Sequence, residues 1–136
     1  MNGVKHFTLI DCKLFGHTEG SFPDWKFFWE VAVKVRINEQ EEHHVSSDEE
    51  LMQAMYKAFL KALYFLKCLD GVILAHYHIG QPDSEGMFSA YVRLSGNGDI
   101  WPARGKAKDS STAGLQALVF ALEAVISESL ANNNAS

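Results

Sequence analysis

Residues 87–126, MFSAYVRLSGNGDIWPARGKAKDSSTAGLQALVFALEAVI, read as two strands, a turn and a helix. The strands are FSAYVRLS and IWPARGKA, joined by Gly96-Asn97-Gly98-Asp99, a turn rich in residues that accept positive φ. The helix begins at Asp109, a side chain suited to the N-cap. The same strand-turn-strand-helix order occurs earlier in WEVAVKVRI, EEHHVSS and DEELMQAMYKAFLKALYFL, where Gln53-Ala54-Met55 overlays Gln116-Ala117-Leu118. The chain therefore reads as one unit used twice.

Working outward, the preceding strand of each unit is also recognisable. VKHFTLIDCKLF over 4–15 and VILAHYHI over 72–79 carry strand-forming Val, Ile, Phe and Tyr. Each is followed by a loop, GHTEGSFPDW (16–25) and GQPDSEG (80–86). Phe27 to Ile37 alternates most clearly, with Trp29, Val31, Val33, Val35 and Ile37 on one face. The expected fold is α+β: tandem duplicated βββα units whose antiparallel sheets carry helices on one face. We expect a single regulatory-type domain over 1–136, with unit one at about 4–69, unit two at about 72–130 and a frayed tail at 131–136.

The first helix is expected from a Ser47-x-x-Glu50 capping box to Leu69, closed by Asp70-Gly71. At 100° per residue, Leu51, Met55, Ala58, Ala62, Leu66 and Leu69 form the stripe for the sheet. A second apolar flank, Met52, Tyr56, Leu60 and Leu63, calls for another covering surface. In the last helix Leu115, Leu118, Leu122, Val125 and Ile126 should meet the sheet. Ala113, Ala117, Phe120, Ala121 and Ala124 make a flank of mostly small residues that permits close helix approach.

Composition narrows the function classes. The 136 residues carry 12 Lys and Arg against 17 Asp and Glu, a formal charge of −5, which disfavours nucleic acid because phosphate binding depends on clustered cations. No continuous apolar run reaches the ~20 residues of a membrane span, and no signal peptide is visible, so a cytoplasmic location is expected. Cys12 and Cys68 lack a C-x-x-C spacing and suit a reducing compartment. The acids Glu39, Glu41, Glu42, Asp48, Glu49 and Glu50 read as a solvated hairpin edge running into a helix start.

No catalytic constellation stands out. His76-x-His78 shares one strand face and could chelate zinc, but a third ligand is not recognisable. Gly105-Lys106 before the Asp109 cap is an anion-friendly position that a plain strand-to-helix connection explains equally well. No cofactor or metal is expected.

The order and spacing of the two units resemble the regulatory (dimerisation) domain of α-isopropylmalate synthase and citramalate synthase. The residues that carry the likeness are Asn97-Gly98, Gly105, Ala107 and Asp109, then Ala113, Ala117 and Ala121. Gln53-Ala54-Met55-Tyr56-Lys57-Ala58-Phe59 is similar to that family's first-helix run. The resemblance spans about Phe7 to Ile126. It implies a non-catalytic homodimeric module of leucine biosynthesis, regulating a synthase barrel that this sequence does not contain. It also implies a site for leucine, isoleucine or a related small carboxylate, between loops and first helix. The matching positions are Met52, Tyr56, Leu60, His17, Gly20 and Ser21, with Pro82, Asp83, Ser84 and Gly86. The bulk of His17, Glu19, Phe22, Pro23 and Trp25 departs from the family's small-residue loop. A protein-interaction module without a small ligand, and a small enzyme, are the alternatives.

Overall fold

The computed structural model describes residues 6–135; positions 4 and 5 of the expected first strand lie outside them. The chain forms two compact units, residues 1–65 and 66–136. In the first, β1 (Thr8–Glu19), β2 (Lys26–Ile37) and β3 (Gln40–Asp48) make an antiparallel sheet in the order β1-β2-β3, followed by α1 (Leu51–Ala62). In the second, a 3₁₀ turn (Lys67–Leu69) leads to β4 (Ile73–Ile79), β5 (Phe88–Gly96) and β6 (Asp99–Ala107), again in chain order, and then α2 (Ser110–Ala135). The fold is α+β, and tandem βββα units describe it.

Both units are built by the same local devices. Val31, Val33 and Val35 of β2 are fully buried, as are Val92 and Leu94 of β5. The first strand of each unit carries a bulge at the same place, between Leu9 and Asp11 in β1 and between Leu74 and His76 in β4. A bulge shifts the side-chain alternation by one residue. Leu74 therefore faces inward with Tyr77 and Ile79, while His76 and His78 are exposed, so the uninterrupted alternation read for 73–79 does not hold. Each β2–β3-type hairpin closes on two positive-φ residues, Asn38 (φ 50°) with Glu39 (φ 69°), and Asn97 (φ 56°) with Gly98 (φ 84°).

The helices seat equivalent residues. Ala54, Met55, Ala58, Phe59, Ala62 and Leu63 of the first unit are fully buried. Their counterparts Ala117, Leu118, Ala121, Leu122, Val125 and Ile126 are at most 3% exposed. This stripe differs from the one expected for α1. It includes Phe59, whose ring lies 6.0 Å from that of Phe7, and the helix stops at Ala62 instead of reaching Leu69. Beyond Leu63 the backbone turns extended at Leu66 before the 3₁₀ turn.

The flank of small residues on α2 also has a different use. At Gly105 of β6, an added Cβ would stand 2.3 Å from the carbonyl oxygen of Ala113 and 2.7 Å from the amide nitrogen of Ala117. Ala113, Ala117 and Ala121 thus let α2 settle onto its own sheet, while Phe120 and Ala124 of the same expected flank point outward. The stretch Ser110–Ala131 is long and apolar enough to cross a membrane by length and composition, with a mean hydropathy of 1.4, although Gln116, Glu123 and Glu128 interrupt its apolar run. In the structure 44% of its most apolar window is buried, on β5 and β6, and Trp101 Nε1 donates a hydrogen bond to Glu128. The backbone stays helical to Ala135, into the segment expected to fray.

Candidate functional site

The expected capping box is not made. Ser47 belongs to β3, and Glu50 occupies the N-cap without a side-chain capping hydrogen bond. Asp48 substitutes: its Oδ1 accepts the Glu50 N–H at 3.0 Å, and its Oδ2 takes the Lys57 ammonium. Those contacts, the Lys57 bond foremost, hold the Asp48 carboxyl below its ordinary range. Two further acids of the run are paired in this way. Glu41 binds Arg36 at 2.9 Å and Lys34 at 3.3 Å, and Glu42 lies 3.0 Å from His44 Nε2.

Of the candidate ligand residues in the first unit, Met52 and Tyr56 are closed off, at 3% and 4% exposure. Burial drives the Tyr56 phenol well above its usual range. Leu60 is half-buried. His17, expected in a loop, is a strand residue that stacks on Phe28 with ring centroids 5.9 Å apart. Gly20 (φ 92°) opens the connection, and the Ser21 carbonyl accepts the Asp24 N–H at 2.8 Å. The hairpin outruns β3: Lys26–Phe28 pair with β1 alone, and α1 starts where Trp29 pairs Asp48. This protruding tip holds Phe22, Trp25 and Phe27, all exposed, of which Phe22 is 85% accessible. The sequence signalled it only as a loop of unusual bulk.

In the second unit Asp83 organises the 80–87 loop. Its Oδ1 accepts the amides of Glu85 (2.9 Å) and Met87 (3.0 Å), and Lys106 Nζ lies 3.3 Å from Oδ2. The bond from Met87, then that from Glu85, lowers its carboxyl pKa. Gly86 takes φ 78° in the return, and Pro82 and Ser84 are exposed beside it. Asp83 is thereby committed to the loop's own amides.

The position before the last helix is occupied in the same way. The Lys106 amide donates to Gln116 Oε1 at 3.0 Å, and Asp109 caps the helix through the Thr112 amide and hydroxyl, both at 2.8 Å. The anion-friendly position thus has one of its amides taken, with Gly105 pressed against the helix, as in a plain strand-to-helix connection. Among the described residues no group of three or more His, Cys, Asp or Glu is placed to hold a metal ion. Burial, then the neighbouring Asp11, pushes the Cys12 thiol up to about 11, away from the reactive thiolate.

Each unit also has a hollow of about 260 Å³ at the same place, beside the second hairpin and the helix end. In the first unit it is lined by Ile37, Gln40, Glu42, Tyr64 and Phe65. In the second, Asn97, Asp99, Trp101, Glu128 and Cys68 contribute. The sequence reading did not find them, because their walls come from the hairpin turn and the end of the helix. Neither protein-family models nor curated protein sequences yield a match to this chain.

Proposed function

We propose that the chain is a non-catalytic regulatory and dimerisation module, similar to the amino-acid-binding domain of α-isopropylmalate synthase. Its ligand would be a branched-chain amino acid or related small carboxylate, bound where copies meet, and its setting the cytoplasm. The observation that carries this reading is the duplication itself. Two βββα units repeat strand order, the bulge of the first strand and the buried helix stripe, which is the arrangement the resemblance implies. The aromatic tip Phe22, Trp25 and Phe27 supports association, because exposed apolar clusters of this kind commonly mark interfaces.

Isothermal titration of the full chain with leucine, isoleucine and valine tests the ligand. Heat and a thermal shift with one of them are expected, and silence with all three would remove it. Sedimentation equilibrium tests the dimer, which Phe22→Ser with Trp25→Ser should dissociate.

A second reading is favoured by the closed Met52 and Tyr56 flank: an interaction module with no small ligand, docking on a partner such as a synthase barrel. It requires a dimer or a partner complex that leucine, isoleucine and valine leave unchanged.

A further inference from the structure

The outward faces of the two sheets differ in charge. On the first, cations are matched: Lys13 lies 3.8 Å from Asp11, and Lys34 and Arg36 share Glu41. On the second, among the described residues, no Asp or Glu occupies an outward position of β4, β5 or β6. Strand pairing sets His78, Tyr91 and Arg104 in one row and His76 and Arg93 in the next, with Lys106 one row beyond Arg104 on β6. Arg93 and Arg104 have no carboxylate partner among the described residues, and Lys106 has only Asp83 from the loop.

Such a face favours an anionic occupant, because like charges on neighbouring strands repel and an incoming carboxylate relieves them. The rows repeat at about 6.6–6.8 Å, twice the rise of a strand. That is also the spacing of same-side residues in an extended peptide. Guanidinium groups pair carboxylates through two parallel hydrogen bonds. Single-stranded nucleic acid would need open aromatic rings for stacking. The Tyr91 ring has the Arg104 guanidinium 5.2 Å over its centroid and the His76 ring 5.9 Å away.

We propose that the outward face of β4–β6 docks an acidic, Glu- and Asp-rich segment of a partner protein, with alternate carboxylates on Arg93 and Arg104. The inference rests on charge placement alone and is independent of the amino-acid reading. Fluorescence anisotropy of labelled decaglutamate with the full chain tests it, with a twenty-nucleotide oligothymidylate as the competing anion. Decaglutamate should bind at low salt and weaken as ionic strength rises. R93A with R104A should cost about tenfold or more, with the thermal midpoint little changed. D83N, which frees Lys106 while keeping an amide acceptor in the loop, should tighten binding about two- to threefold. K13A with K34A, the same change in net charge on the other sheet, should leave it little changed. Absence of decaglutamate binding, equal loss in the K13A/K34A variant, or tighter oligothymidylate binding through the same arginines would overturn the proposal.

Discussion

At the residue scale, Gly105 and Cys12 show how contacts decide what composition leaves open. Gly105 has no unusual backbone angle; it is there because α2 lies against it, with the Ala113 carbonyl and Ala117 amide where a methyl would go. Both obstacles are backbone, so Gly105→Ala must lift the helix. We expect a loss of about 1–3 kcal/mol, read from urea unfolding. For Cys12, burial argues against a reactive thiol. With its pKa raised from 9.0 to about 11, alkylation at pH 8 in a Cys68→Ser background should run about 100-fold slower than for an ordinary thiol. The glycine was legible as a motif letter, but its purpose was not. Nothing in a linear string tells which backbone atoms will lie over it.

At the element scale, periodicity placed the central strands and the last helix well, because burial on one face imposes a pattern on the residues themselves. It failed where termini are decided by competing partners. Ser47 was taken up by the β2–β3 ladder, so Asp48 became the acceptor at the start of α1. The end of α1 was misjudged because Leu66 and Leu69 continue an apolar repeat although the chain has already turned. The two hairpins supply a prediction of their own. Glu39 holds φ 69° where the second hairpin has Gly98, and a non-glycine residue in that region costs roughly 1–2 kcal/mol. Glu39→Gly, giving an Asn-Gly turn in both units, should stabilise by about 0.5–1 kcal/mol after the added unfolded-chain entropy. Chemical denaturation measures it.

For the whole molecule, Met52, Tyr56 and Leu63 of the expected second flank of α1 proved to be interior, with Leu60 half-buried, and this links the candidate site to global stability. Tyr56 is raised above its ordinary pKa by burial. Its neutral form therefore contributes stability that is fully present below the unfolded value of about 10 and is lost as pH rises past it. Thermal midpoints should hold through neutral pH and fall above about pH 10. Tyr56→Phe should flatten that alkaline decline, and an unaltered decline would show that other groups cause it. Phe59, which the helical-wheel reading passed over, is fully buried, and Phe59→Ala should cost about 3–5 kcal/mol. Of the candidate ligand residues, loop positions such as Asp83 were legible as loop positions. That Asp83 spends its oxygens on Glu85, Met87 and Lys106 was not.

The sequence by itself determined the duplicated strand and helix order, the hairpin turns and the inward alternation of β2. These are local: neighbours along the chain and a single buried face suffice to specify them. Only the tertiary structure decided where the bulges turn the faces, which apolar flank is closed, which charges are paired and which face of the second sheet is left basic. Each of those depends on atoms that are distant in sequence and adjacent only after folding.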